Sequence, residues 1–423
     1  MMFFIAPLAP LDLEDGLMSE NGTNPMHRRE FIQAGAAATA VATTMAQGAA
    51  AAQVAGEQAG TAKKKTELPR RVLGKTGAEV TILNAGTWRA PDSLDRLLRY
   101  SFLRGVRYFD TAAGYHTEDR FKAWFAAQPE VRKQIFLATK DHVREPGQMV
   151  KQVDKRLAAL GTDYIDLLFF HGLDSRLGQT DWPKRREMKA AVEAIKKTGK
   201  VRFVGFSTHD RLKAEQIQAA AERGFIDVIM LSFSPFLPKD DPLNRALDAA
   251  HEKNIGLVSM KQMAGHTQVK QQVPALLERG LNTHQGLLTA IWSDPRISAT
   301  CVTMTNTDQV NQNTDAARRF EPLKEADIHQ LRDAVLAAGP MMCADCDGRC
   351  GRAAGTKARL GDLTRFLTYH EHFGSRRQAR ENYAELTDEE RNWRDANLEA
   401  AREACPSKLD FAQLLPEVDR LLG

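Results

Sequence analysis

Outside its N-terminal region the chain lacks any apolar run of ~18 or more charge-free residues, which excludes a multispan membrane protein. It also lacks an excess of either charge. Lys and Arg number 58 against 54 Asp and Glu, so the net charge is only +4, and the basic residues are scattered. A nucleic-acid partner wants a basic patch or stripe, so none is expected. Aromatic residues are few, 7% of the total, and cysteine is scarcer, five in 423 residues. Such a chain stands far from the disulfide-stapled mini-proteins. With 43% apolar and 26% charged residues it has the composition of a globular protein with a large core, neither collagen-like nor disordered. The few cysteines are not spread evenly. Cys343, Cys346 and Cys350 lie close together, with Cys301 before them and Cys405 after.

Residues 1–52 read as an address. His27-Arg28-Arg29-Glu30-Phe31-Ile32-Gln33 precedes a weakly apolar stretch, Ala34 through Ala52, rich in Ala and Thr. A paired arginine with a Phe two residues on resembles a bacterial twin-arginine export signal, and Ala50-Ala51-Ala52 suits a signal-peptidase site. The expected partner is the twin-arginine export machinery, which carries folded proteins, and the expected location is periplasmic or otherwise exported. Met26 sits just before the motif and is an alternative native start. Residues 53–69 read as a linker.

From residue 80 onward, β-branched runs alternate with amphipathic stretches. The runs are Val80–Gly86, Val106–Ala112, Ile135–Lys140, Tyr164–Gly172, Val201–His209, Val228–Pro235, Gly256–Met263 and Ser298–Asn306. Eight β-then-α units predict a closed (β/α)8 barrel, the TIM fold, over residues 70–325. An open doubly wound sheet would want a G-x-G-x-x-G turn after its first strand, and Asn84-Ala85-Gly86-Thr87-Trp88 is not one. After residue 325 no strands are evident. Helical patterns at Leu363–His372, Arg377–Ala384 and Glu389–Ala404 predict a helical, cysteine-bearing extension over 326–423.

Reactive side chains of such a barrel collect at the C-terminal ends of its strands. Strand two ends at Asp110, with Tyr115 just beyond it; strand three ends at Lys140 and strand four at His171. That set suits proton transfer to a carbonyl during hydride delivery. Tyr115 is the acid and base, and a neighbouring Lys140 is expected to lower its pKa from ~10. Asp110 anchors the lysine, and His171 orients the carbonyl oxygen.

Gly105-Val106-Arg107-Tyr108-Phe109-Asp110-Thr111-Ala112-Ala113-Gly114-Tyr115 resembles the signature of the aldo/keto reductase superfamily. The spacing of Lys140 and His171 and the opening Arg71-Val72-Leu73-Gly74-Lys75-Thr76-Gly77 match that family as well. The resemblance covers residues 70–320. It implies a nicotinamide dinucleotide, NADP or NAD, and a small-molecule carbonyl or alcohol substrate. It also implies that Ser207 and Thr208 meet the nicotinamide amide, that Phe233 stacks on the ring, and that Gln312 and Asn313 contact adenine. Thr305 and Asn306 follow strand eight, where the family usually has a basic residue for the 2′-phosphate of NADP, and Asp308 would repel one. Lys261, at the end of strand seven, either reaches the pyrophosphate or is solvated.

Cys343-x2-Cys346-x3-Cys350, with Cys405-Pro406 further on, resembles an eroded form of the ferredoxin-like tail that some aldo/keto reductases carry. In that register Pro340 replaces one cysteine of the first motif, and Asp395, Leu398 and Ala401 replace three of the second, so two clusters are excluded. Three readings stay open. One is a single 4Fe–4S cluster on Cys343, Cys346, Cys350 and Cys405. Another is zinc or a disulfide on the same thiols. The last is relict cysteines without a metal. His370 and His372, two apart on a helix, point to different sides and do not make a ligand pair. Cys301 reads as packed within strand eight.

The expected function is that of an exported oxidoreductase interconverting a carbonyl and an alcohol. Two rivals accompany it. One is a non-catalytic barrel that binds a dinucleotide or a partner and senses redox state. The other is an electron-transfer protein that uses the C-terminal cysteines to serve an electron-transfer partner.

Overall fold

The computed structural model describes residues 67–261, 273–337, 343, 346, 348–371 and 374–423. The arginine-pair signal, Met26, most of the 53–69 linker and His372 lie outside the described residues. Two strands, β1 (Arg70–Val72) and β2 (Glu79–Thr81), form an antiparallel hairpin. Eight more close into a parallel barrel: β3 (Leu83–Gly86), β4 (Tyr108–Asp110), β5 (Phe136–Asp141), β6 (Ile165–Phe170), β7 (Val201–Thr208), β8 (Val228–Ser232), β9 (Gly256–Met260) and β10 (Ile297–Thr303). Each pairs with its sequence neighbour, and β10 pairs with β3 to complete the ring. Every predicted run overlaps a barrel strand. The first, Val80–Gly86, is divided between β2 of the hairpin and β3 of the barrel.

Parallel barrel strands are buried on both faces, and their side chains alternate between interior and helix layer. All six residues of β6 are buried for this reason. Tyr108, Phe136, Ala138, Leu167, Phe169, Val228, Met230, Val258 and Ala299 fill the interior. Their strand neighbours Phe109, Leu137, Leu168, Phe170, Ile229 and Leu257 belong instead to the larger layer under the helices. Gly205 marks a tight point of the interior: a Cβ there would stand 2.1 Å from the Val228 carbonyl oxygen and 2.9 Å from the Phe169 ring.

The hairpin seals one end of the barrel. Leu73 and Val80 join the interior cluster. The turn passes so close to the start of β9 that a Cβ on Gly74, whose φ is +52°, would meet the Gly256 nitrogen at 2.3 Å. With the N-terminal end plugged, the C-terminal mouth is left for chemistry.

The helix Glu325–Ala337 packs Leu331, Ala334 and Val335 into the barrel's outer layer. Beyond it the extension builds a core of its own from Leu360, Leu363, Phe366, Leu367, Phe411, Leu415 and Val418. The predicted stretch Glu389–Ala404 is two helices, Asp388–Arg391 and Leu398–Ala404. Asn397 separates them, because its side chain accepts the Ala400 N–H and caps the second.

Candidate active site

Strand alternation brings the first three candidates together. On β4 Tyr108 faces inward, so Asp110 does too; on β5 Phe136 and Ala138 face inward, so Lys140 follows; on β6 Leu167 and Phe169 face inward, so His171 continues the row. Lys140 Nζ donates to Asp110 Oδ1 and, at 3.0 Å, to the Thr111 carbonyl. Both side chains of this ion pair are almost wholly buried. Tyr115 ends a single helical turn, Ala113–Tyr115, that lifts it over the pair. Its ring centroid is 5.1 Å from the Lys140 ammonium, and its hydroxyl lies 3.4 Å from His171 Nε2.

The electrostatics correct one expectation. Burial pushes the Tyr115 hydroxyl up to about 12, and the opposing pull of Lys140 does not overcome it. Tyr115 therefore stays firmly protonated. Burial alone would pull Lys140 down, but Asp110 and Tyr115 outweigh it and hold the ammonium above the usual lysine range. Burial, with His142 and Lys140 adding, holds the His171 imidazole well below the usual histidine range, so it is neutral.

Sequence reading missed four neighbours. His142, one residue past β5, stacks on His171 at 4.1 Å between centroids. Cys301, inward-facing on β10 two residues after Ala299, lies 3.8 Å from Asp110 Oδ1, so it is more than strand packing. His209 continues the inward row of β7. Tyr369, from the extension, accepts a hydrogen bond from Lys261 Nζ at 2.8 Å. The signal for the first three was the period of two, carried one residue past β5 and β7 for the histidines and read within β10 for Cys301. None existed for Tyr369, which is 108 residues from its partner.

The mouth has two halves. Tyr115, Lys140 and His171 occupy the β4–β6 side. Opposite them stand His209 after β7, Lys261 after β9 and Trp88 after β3, roofed by the extension's helix Leu360–Glu371. Lys261 is foremost in depressing the His209 pKa, followed by burial and Arg365 of that helix. Three non-glycine residues at the mouth, Arg89, His116 and Lys261, hold left-handed backbone at φ of 59°, 55° and 60°. Such strain persists where the surroundings over-determine it, and it gathers at functional sites.

The cofactor candidates divide along the same alternation. Ser207 faces inward, and its hydroxyl accepts the Gly172 N–H at 2.8 Å. Thr208 faces the helix layer and donates to Gln216 at 2.5 Å, so it does not line the mouth. Phe233 packs in that same outer layer, and Ser232 before it has the inward position, so Phe233 is not a stacking platform. Asn306 caps the helix Thr307–Arg318, and Thr305 binds Gln309 at the same helix start. Gln312 is exposed and Asn313 buried. The donor set nonetheless fits an anionic, ring-bearing dinucleotide: the Lys261 ammonium, the neutral imidazole of His209, and the rings of Trp88 and Tyr369.

The extension's thiols do not assemble a metal site among the described residues. Among the described residues no three His, Cys, Asp or Glu side chains group closely enough to hold an ion. Cys350 and Cys405 are free thiols within the apolar cluster. Burial, with Cys346 and Cys405 adding, pushes the Cys350 thiol up to about 12. Cys343 Sγ rests against Gly361, where a Cβ would meet it at 3.0 Å. Apolar packing holds the extension together where a cluster or zinc was one expectation.

Comparison with known proteins agrees with this geometry. Residues 83–275 match the aldo/keto reductase family. L-galactose dehydrogenase of Arabidopsis thaliana is 24% identical over 293 residues, 61% of this chain and 91% of its own. Glycerol 2-dehydrogenase (NADP(+)) of Saccharomyces cerevisiae is 24% identical over 192 residues, 40% of this chain and 62% of its own. The solved structure of a thermostable aldo-keto reductase superposes with a TM-score of 0.51 at 21% identity, covering 63% of this chain and all of that one. Seven of the eight barrel strands, β3 to β9, lie within the stretch that matches the aldo/keto reductase family.

Proposed function

We propose that the protein is an oxidoreductase that interconverts a carbonyl and an alcohol on a small molecule with a nicotinamide dinucleotide. The observation that carries this reading is the buried Lys140–Asp110 pair beneath a protonated Tyr115, with a neutral His171 at 3.4 Å from its hydroxyl. When bound, the dinucleotide supplies the hydride. The chain's own residues do the rest. Tyr115 holds the proton that the carbonyl oxygen receives, and His171 donates a hydrogen bond to that oxygen. Lys140 stabilises the phenolate left behind, and Asp110 keeps Lys140 in place. Mixing the protein with NADPH or NADH and a panel of aldehydes, ketones and sugars tests the proposal by loss of nicotinamide absorbance. No oxidation of either cofactor with any carbonyl would overturn it.

The titrations set a pH profile. His171 must be neutral, and its pKa is held well below 6.5. Tyr115 must be protonated for reduction, and its pKa is about 12. Carbonyl reduction should therefore run at constant kcat/KM from about pH 7 to about pH 9, while alcohol oxidation, which needs the phenolate, climbs with pH. An acid limb near neutrality would show His171 titrating at its ordinary value and contradict the arrangement.

We further propose export by the twin-arginine route, on the strength of Arg28-Arg29 and the Ala-rich segment after them. Lys presents a compact ammonium where Arg presents a planar fork, so Arg28→Lys with Arg29→Lys should retain the protein in the cytoplasm. Cell fractionation reads the result, and undiminished export of the double variant refutes the assignment.

A further inference from the structure

We infer that the C-terminal extension is a working part of the dinucleotide site, in which Tyr369 positions Lys261 to take the charge of the dinucleotide's phosphates. This rests on the oxidoreductase reading and extends it to a segment outside the barrel.

Lys261 is ordered from three directions. Its backbone is left-handed at φ 60°. Its ammonium donates to the Tyr369 hydroxyl at 2.8 Å. The same ammonium lies 5.4 Å from the Trp88 ring centroid and 5.3 Å from that of Tyr369, and the two rings meet edge to face at 6.1 Å. A lysine on a flexible stem normally loses much rotamer freedom when it grips a ligand. Here that freedom is gone beforehand, which is the structural meaning of pre-organisation.

The ammonium has three N–H donors, and the phenol oxygen takes one. No carboxylate pairs with Lys261 among the described residues, and a half-buried cation wants an anion. Arg365 stands one helical turn before Tyr369 and so shares its face. Arg365 is already bound to Asp362, which leaves Lys261 as the cation for an incoming charge. Aromatic rings on either side suit a ligand that carries planar groups beside its phosphates.

The helix bearing Tyr369 is seated on the mouth. It is buried almost all round, as a helix must be when it lies between two bodies, here the extension's core and the barrel. Two ion pairs hold the extension to other mouth loops. Arg349 binds Asp241 beyond β8 at 2.9 Å, and Glu385 binds Arg176 beyond β6 at 3.3 Å.

The test titrates full-length wild type, Tyr369→Phe and Lys261→Met with NADPH and with NADH, without substrate, by protein fluorescence at several salt concentrations. Tyr369→Phe deletes one hydroxyl and keeps the ring. It should weaken binding ~3–10-fold and Lys261→Met ~10-fold or more, both with a shallower salt dependence and an unchanged melting temperature. In turnover Tyr369→Phe should raise KM for the dinucleotide and leave kcat alone. Inorganic pyrophosphate should compete with NADPH on wild type and not on Lys261→Met. If wild type binds dinucleotide and Tyr369→Phe binds it equally well, the inference falls while the oxidoreductase reading stands. If Lys261→Met raises KM for the carbonyl substrate alone, the anion is the substrate's and the dinucleotide assignment falls. If wild type binds neither NADPH nor NADH, the oxidoreductase reading itself fails.

Discussion

Tyr115→Phe should lower turnover by ~10²-fold or more while dinucleotide affinity and melting temperature stay at their wild-type values. The change removes one oxygen and the proton on it. The phenyl ring still packs edge-on against His171, 5.4 Å between centroids, so the mouth keeps its shape. What disappears is the donor held 3.4 Å from His171 Nε2 and beside Lys140. The reduced carbonyl oxygen then has to find its proton in water, without a positioned acid. Burial holds this hydroxyl at about 12, which sharpens the expectation. At neutral pH the wild type is entirely in the donor form, so the whole population is competent for reduction. The measurement is kcat in both directions for any substrate found in a carbonyl screen. Near-full activity in the variant would take Tyr115 out of the mechanism.

The barrel and its proton-transfer side were legible because both follow from a period of two. Asp110, Lys140 and His171 stand at the ends of strands whose interior residues were already apolar, and continuing the alternation aims all three into one mouth. The cofactor side was misread where that period was set aside. Thr208 was paired with Ser207, although adjacent strand residues face opposite ways, and Phe233 was placed on the ring by resemblance alone; the structure puts both under the helices. The net direction of the Tyr115 pKa was hidden for a different reason. A sequence names the nearby Lys140 but not how much water the fold removes, and here desolvation is the larger effect. The mouth's roof was out of reach altogether. Tyr369 and Lys261 meet through tertiary packing, and no local periodicity links a residue in a C-terminal helix to the end of the barrel's seventh strand.

The extension was also read through its cysteines, which drew attention from its helix. Cys350 and Cys405 lie with Leu360, Phe411 and Leu415 in one apolar cluster and serve there as small hydrophobic side chains. The residues by which the extension meets the barrel mouth are elsewhere, on the helix face that carries Arg365 and Tyr369. Tyr369 carries that face to the barrel mouth through its hydrogen bond with Lys261, and the Arg349–Asp241 and Arg176–Glu385 ion pairs tie the extension to two further loops.

Lys140→Met should destabilise the protein by ~3–5 kcal/mol at pH 7, the typical result of removing one partner from a buried ion pair. Asp110 and Lys140 expose 3% and 1% of their side chains, so solvent cannot take over when the ammonium goes. Asp110 Oδ2 is already buried without a hydrogen-bond partner, and Oδ1 keeps only the weak donor Cys301 at 3.8 Å. The stranded carboxylate has one escape, which is to accept a proton. In the variant its folded pKa then lies above the unfolded value of ~3.9. A group raised on folding lends its stability below the unfolded pKa and withdraws it as pH rises through the folded one. The penalty relative to wild type should therefore be small near pH 4 and reach its full size at neutral pH. Adding Asp110→Asn removes the charge altogether and should return most of the stability at pH 7 but none of the activity, because nothing then stabilises the Tyr115 phenolate. Urea unfolding of the two single variants and the double variant at several pH values gives the coupling directly. If Lys140→Met unfolds at the wild-type urea midpoint at pH 7, the two charges do not depend on each other. The anchoring role of Asp110 would then have to be abandoned.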